Sequence, residues 1–115
     1  MKLLVCGGRD FNDRDFLFKS LDQLHAEHHF SLLIHGGAKG ADKLAGEWAA
    51  DRGIEFKIFP ADWDQYGRSA GMIRNRQMLN QKPDLVVAFS GGRGTQNMIN
   101  ISEAAGVNVI CPRNK

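Results

Sequence analysis

The chemistry of this sequence centres on a glycine-rich turn in its last third. An apolar run over residues 85–89 ends there, and a helical pattern follows at once. A run that is apolar throughout is typical of a strand buried on both faces of a parallel sheet. The first N–H groups of the next helix are unpaired and lie at the positive end of its dipole, so such a turn can hold a phosphate. The ligand-binding residues predicted in this turn are Gly91, Gly92, Arg93, Gly94 and Thr95.

Two more double-glycine turns follow predicted strands earlier in the chain, and each also carries a basic residue. Because the carboxyl ends of parallel strands meet at one edge of a sheet, we expect the three turns to lie together. Their basic side chains would give this edge a positive field suited to anions. The ligand-binding residues predicted here are Gly7, Gly8, Arg9 and Asp10 in the first turn, and Gly36, Gly37, Lys39, Gly40 and Asp42 in the second.

Strict alternation of strands and helices must position these turns. The pattern predicts an α/β fold, a Rossmann-like three-layer α/β/α architecture with a five-stranded parallel sheet. Helices are predicted from Asn12 or Asp13 to about His29, from the second glycine turn to Gly53, and over 70–81 and 95–105. An irregular connection is predicted over 61–69. The predicted strands span residues 2–6, 30–35, 54–59, 84–89 and 107–111.

Composition places the chain among ordinary globular proteins. Its 115 residues are 43% hydrophobic and 24% charged, with a net charge of +2, which predicts one domain over residues 1–115 and makes nucleic acid an unlikely partner. We see no leader and no apolar run of membrane length, so we expect a cytoplasmic protein that does not contact membranes. Cys6 and Cys111 end predicted strands and should be buried free thiols.

The spaced motifs resemble the SLOG superfamily, and within it a small YspA-like branch often labelled as a domain of unknown function. The resemblance covers essentially the whole chain. It implies a Rossmann-like sheet and ligands that are nucleotides or nucleotide-derived small molecules. The motifs that carry it are Gly7-Gly8-Arg9-Asp10, residues 36–42, Pro60-Ala61-Asp62-Trp63, residues 71–78 and residues 88–95.

Two better understood relatives imply different activities. Cytokinin-activating phosphoribohydrolases have a similar phosphate loop and a catalytic arginine that resembles Arg74, but their catalytic glutamate corresponds to Met98 here. DNA-processing protein A, which binds single-stranded DNA, is similar over residues 36–42 and 74–76. Loss of the glutamate removes the carboxylate that would stabilise a developing ribosyl cation, and Glu103 lies too far along the helix to replace it.

Individual side chains leave alternatives open. Arg74 is the first choice for a functional charge, although an arginine in a helix is usually solvated. Asp42 either compensates its helix dipole or acts on the ligand as a hydrogen-bond acceptor or base. Trp63 either stacks on a base or covers the end of the sheet, and Thr95 is also a typical helix N-cap. His35 is a weak acid–base candidate, and Asn75 shares the motif of Arg74.

These patterns predict a protein that binds a nucleotide-derived molecule, either as a sensor or sequestering module or as a weak processing enzyme. The alternatives are a nucleotide N-glycosidase, with Arg74 and Asp42 in catalytic roles, and a single-stranded nucleic-acid binder. We expect no metal and no resident cofactor, because zinc and P-loop motifs are missing. By the resemblance to the phosphoribohydrolases, we also expect a homodimer or higher homo-oligomer.

Overall fold

A five-stranded sheet carries the glycine turns at one edge. The computed structural model describes residues 1–113, so the last two residues of the predicted domain, Asn114 and Lys115, lie outside the described part of the chain. The strands are β1 (Lys2–Cys6), β2 (Leu32–His35), β3 (Glu55–Ile58), β4 (Leu85–Ala88) and β5 (Asn108–Ile110). The helices are α1 (Arg14–His28), α2 (Ala41–Asp51), α3 (Trp63–Tyr66), α4 (Ala70–Leu79) and α5 (Arg93–Ala104), with a 3₁₀ turn at Gly67–Ser69.

All strand pairs are parallel, in the order β3-β2-β1-β4-β5. The predicted Rossmann-like α/β fold is therefore confirmed. The order reverses between β1 and β4, and ligands of open α/β sheets bind beyond the carboxyl ends of the strands at this kind of point. The turns that follow β1 and β4 flank it.

Apolar side chains fill both faces of the sheet. Leu3, Val5 and Val87 belong to one cluster that includes Trp48 of α2, and the α1 side chains Leu17 and Leu21 complete that layer. The opposite cluster contains Leu4, Cys6, Ile34 and Val86 of the sheet, with Met78 of α4 and Met98 of α5. The sheet thus sits between two helical layers, and the side chains of β1 and β4 are almost wholly buried.

Several local expectations need correction. The connection over 61–69 is not irregular: Asp62 Oδ1 accepts the N–H of Gln65 at 3.1 Å and so caps the short helix α3. Thr95 is not an N-cap, because α5 begins at Arg93 and its cap residue is Gly92. Cys111 is exposed because it lies beyond β5, whereas Cys6 is buried; both are free thiols.

Candidate functional site

The turns after β1 and β4 touch each other at the point where strand order reverses. The N–H of Gly8 donates to the carbonyl of Ser90 at 2.8 Å. A Cβ atom at Gly8 would lie 3.0 Å from the Cα of Gly91, and one at Gly91 would lie 2.6 Å from the N of Gly8 and collide with Thr95 Oγ1. Glycine is therefore required here by backbone-to-backbone packing, independently of any ligand.

The glycines that begin α5 have a different environment. Cβ atoms placed at Gly92 and Gly94 would meet no other atom within 4 Å. Neither residue has a positive φ, so the backbone does not demand glycine at these positions. The lack of side chains leaves open space in front of the first turn of α5, where helix N–H groups lack intrahelical partners.

This space is part of a cleft of about 390 Å³, the central cleft, which opens at the carboxyl ends of β1 and β4. Met78 and Cys6 lie at its base, and Gly71 and Ala38 line it although they were absent from the predicted ligand set. The predicted residues that line it are Gly7, Gly8, Arg9, Asp42, Trp63, Arg74, Asn75, Gly92, Gly94 and Thr95.

A second cleft of about 440 Å³, the outer cleft, adjoins the first, and Arg9, Ala38, Trp63 and Arg74 line both. The predicted residues Asp10, Gly36, Gly37 and Lys39 also line this outer cleft. The remaining predicted residues, Gly40, Gly91 and Arg93, line neither of the two. Gly40 instead packs against the backbone of Gly8 and Arg9, and Arg93 is exposed at the start of α5.

Arg74 is one of the side chains that line both clefts, and it is not the solvated surface group that its place in a helix suggested. Its Nη1 donates to the carbonyl of Gly36 at 2.7 Å, and its Nε donates to Asn75 Oδ1 at 3.2 Å. A Cβ at Gly36 would collide with the Arg74 guanidinium and lie 3.0 Å from Asp42 Oδ2. Because Gly36 has no side chain, the Arg74 guanidinium and the Asp42 carboxylate can both approach its backbone.

Asp42 is buried in the first turn of α2, with only 6% of its surface exposed. Desolvation by burial raises the pKa of its carboxyl group from 3.8 to about 6, although the Ala38 N–H bond to Oδ2 (3.2 Å) and the Arg74 charge oppose the shift. Burial likewise lowers the pKa of the Arg74 guanidinium. A carboxyl group with a pKa near 6 can exchange protons close to neutral pH.

Two other titratable groups near the central cleft, His35 and Cys6, are kept uncharged by their surroundings. His35 is buried, its Nδ1 accepts the N–H of Gly37 at 3.0 Å, and its ring stacks on Phe56. Burial, and then the Arg74 charge, lower its pKa to about 4, so the ring is neutral and carries its proton on Nε2. Burial raises the pKa of the Cys6 thiol, which keeps it protonated.

The aromatic wall of the cleft comes from α3. Trp63 is 48% exposed, and the guanidinium of Arg9 lies 5.6 Å from its ring centroid. This cation–π contact connects the turn after β1 with α3 across the mouth of both clefts. Tyr66, on the same short helix, is exposed and is not among the residues that line the two clefts.

Helix α5 contributes backbone rather than a carboxylate to the cleft. Met98 is fully buried in the core between α5 and the sheet, and Glu103 lies in the last turn. The buried amide of Asn75 donates to the carbonyl of Gly94 and to Asn97 Oδ1, both at 3.0 Å. Asn75 therefore fixes the first turn of α5 against α4.

A larger cleft, of about 840 Å³, lies on the other side of the turn over residues 90–92. Phe11, Phe16, Cys111 and Arg113 are among its lining residues, and it shares Gly92 and Thr95 with the central cleft. It contains neither Arg74 nor Asp42. Size therefore favours this cleft as the ligand site, whereas the convergence of charged side chains favours the central cleft. We give charge more weight because charged groups determine which kind of ligand binds.

Within residues 1–113, no helix has the length and apolar character that crossing a membrane requires. The same part of the chain brings no three His, Cys, Asp or Glu side chains together in a way that could hold a metal ion. His25, one of the three histidines near the end of α1, accepts the N–H of Phe30 at its Nδ1 (3.0 Å).

Comparison with known proteins identifies the family. The sequence profile of the YspA, cpYpsA-related SLOG family matches residues 1–66. The Gene 61 protein of Mycobacterium phage D29 is 36% identical over 117 aligned residues, which cover 95% of this chain and 94% of that protein. The profile match confirms the resemblance to this family: the chain belongs to the YspA, cpYpsA-related SLOG family.

Proposed function

We propose that this protein binds a nucleotide or a nucleotide-derived small molecule in the central cleft. The observation that carries the proposal is the open first turn of α5 facing the cleft that Arg9 and Arg74 line. Free N–H groups at a helix start and nearby guanidinium groups are both suited to phosphate oxygens. A nucleotide supplies that phosphate together with a planar base.

The base has a partner in the same cleft. The half-exposed ring of Trp63 lies at the mouth, and stacking on an aromatic side chain is worth about 1–3 kcal/mol per base. Asp42 and the Arg74 guanidinium, beside Gly36, are placed to accept from and donate to sugar hydroxyls. We propose that the sugar lies against these two groups and that the phosphate lies at Gly92, Gly94 and Thr95.

Binding without rapid turnover is the function that these residues support best. N-glycosidic cleavage needs a carboxylate close to the sugar. The helix that supplies it in the phosphoribohydrolases has Met98 here, and that side chain is buried in the core. A sensor or sequestering role fits a cleft that keeps the phosphate site but lacks this group.

Asp42 supports a second candidate, a slow N-glycosidase. Among the described residues that line the central cleft it is the one carboxylate, and its raised pKa of about 6 suits proton transfer. Incubation with AMP, GMP, CMP and UMP, followed by chromatography of free bases, distinguishes the two candidates. Rapid release of base that is abolished in Asp42→Asn would replace the binding role by the enzymatic one.

The binding proposal is tested by titrating the protein with nucleosides and their 5′-monophosphates at low salt in a calorimeter. We expect binding of at least one monophosphate and much weaker binding of its nucleoside. Trp63→Ala should weaken binding, whereas Tyr66→Ala, a matched aromatic on the same short helix but outside the cleft, should not. Equal affinity for nucleoside and nucleotide would remove the phosphate site from the proposal.

A further inference from the structure

The edge strand β3 is exposed in a way that the other described strands are not. All four of its residues are exposed, including Phe56 at 38% and Ile58 at 51%. It pairs with β2 on one side, and the sheet ends on its other side. An exposed edge with apolar side chains is a template for pairing with another strand.

The backbone of β3 has hydrogen-bonding groups directed away from the sheet. The N–H of Phe59 donates to the carbonyl of His35 at 2.9 Å, so the odd-numbered residues of this segment point their backbone groups toward β2. Since these groups alternate along a strand, those of Phe56 and Ile58 point outward. A second strand could therefore form a hydrogen-bonded pair at Phe56.

The sequence of β3 is complementary to itself when it is read in the opposite direction. Glu55 and Lys57 flank Phe56 symmetrically, and both charges are exposed. In an antiparallel pair centred on Phe56, each Glu55 lies opposite Lys57 of the second copy, and the two Phe56 rings are neighbours. Opposite charges across a pair stabilise a sheet, and like charges destabilise it.

We propose that β3 pairs with β3 of a second copy of this chain, antiparallel, with Phe56 on the two-fold axis. One sheet then runs through both protomers. The charges require a centre at Phe56, and Phe56 is one of the two residues of β3 whose backbone groups face outward, so two independent features agree on one register. This inference does not rest on the proposed ligand.

Sedimentation equilibrium of the full chain tests the interface. We expect a wild-type dimer, and we expect Glu55→Lys or Lys57→Glu alone to raise its dissociation constant roughly tenfold, because like charges then face each other twice. The double variant Glu55→Lys/Lys57→Glu should restore wild-type affinity. Glu103→Lys, an exposed charge reversal on α5, should have no effect.

Thiol cross-linking tests the register. In a Cys111→Ser background, Phe56→Cys places two thiols on a pair whose Cα atoms lie about 5.5 Å apart, within disulfide range. Ile58→Cys, on the same strand and more exposed, places them about 14 Å apart and should not cross-link under the same oxidation. A monomeric wild type, a double variant no tighter than the single ones, or preferential cross-linking at residue 58 would overturn the proposal. If β3 instead pairs with a strand of a different protein, the wild type will be monomeric.

Discussion

Replacing Gly94 by alanine should make the protein more stable and its nucleotide binding weaker. Gly94 is the second residue of α5, its φ is not positive, and a Cβ there meets no atom within 4 Å. Alanine restricts the unfolded chain more than glycine does, so a compatible Gly→Ala change stabilises a protein by about 0.4–1 kcal/mol. For a domain of this size that corresponds to a rise in melting temperature of about 2–5 °C.

The same methyl group would occupy the space in front of the helix N–H groups. A phosphate oxygen must approach those groups to about 2.7–2.9 Å, which the methyl group prevents. Loss of one charge-assisted hydrogen bond costs about 1.5–3 kcal/mol, equivalent to roughly 10–100-fold in affinity. Opposite changes in stability and affinity cannot both arise from general loss of structure.

Differential scanning calorimetry and isothermal titration of Gly94→Ala measure the two quantities, with Glu103→Ala as a control on the same helix. We expect Glu103→Ala to change neither the stability nor the nucleotide affinity by a comparable amount. If Gly94→Ala binds the nucleotide as tightly as the wild type, the phosphate does not lie at this turn. If stability falls instead, the open space described at Gly94 is wrong.

The remaining predictions concern the packed turn at Gly91, the half-buried Arg74 and the buried titratable groups Asp42 and His35. Gly91→Ala should lower the free energy of unfolding by about 1–3 kcal/mol, measured in urea, because its Cβ collides with Thr95 Oγ1. Arg74→Ala should cost about 1–2 kcal/mol of stability as well as affinity, because the Gly36 carbonyl loses a charged donor; urea unfolding that matches the wild type would contradict this. Between pH 4 and pH 6 the unfolded state binds fewer protons at Asp42 than the folded state does, so this residue alone makes stability fall as pH rises. His35, with its folded pKa near 4, makes stability rise with pH over the same range. The free energy of unfolding of Asp42→Asn, measured by thermal unfolding, should therefore be compared with that of the wild type, and we expect it to gain about 2–3 kcal/mol relative to the wild type between pH 4 and pH 7. An equal difference between the two proteins at both pH values would refute the raised pKa of Asp42.

The order of elements could be read from the sequence because it depends on local patterns. Buried parallel strands are apolar throughout, as β4 is and as β1 is after the exposed Lys2, and the glycine turns that follow them mark their carboxyl ends. The helix start at Asp13 was similarly predictable, since its side chain accepts the N–H of Phe16 at 3.1 Å. Agreement between local preference and tertiary structure makes this part of a fold predictable.

The roles of individual residues depended on contacts between distant parts of the chain. Gly8 and Gly91 are glycines because their turns touch, whereas Gly94 is open to a cleft, and no pattern in the sequence separates these cases. Arg74 donates to the carbonyl of Gly36, 38 positions earlier, so an expected surface charge becomes a half-buried contact between α4 and the turn after β2. Such contacts are set by strand order, which spacing alone does not reveal.

We propose above all that phosphate binds at the first turn of α5 in the central cleft. Backbone amide chemical shifts, recorded by ¹H–¹⁵N NMR during titration with a nucleoside 5′-monophosphate, test it directly. We predict that the largest changes occur at Arg93, Gly94 and Thr95, with smaller changes at Ala38. Changes centred instead on Phe11 and the exposed Cys111, which line the cleft of about 840 Å³, or no changes at saturating nucleotide, would contradict it.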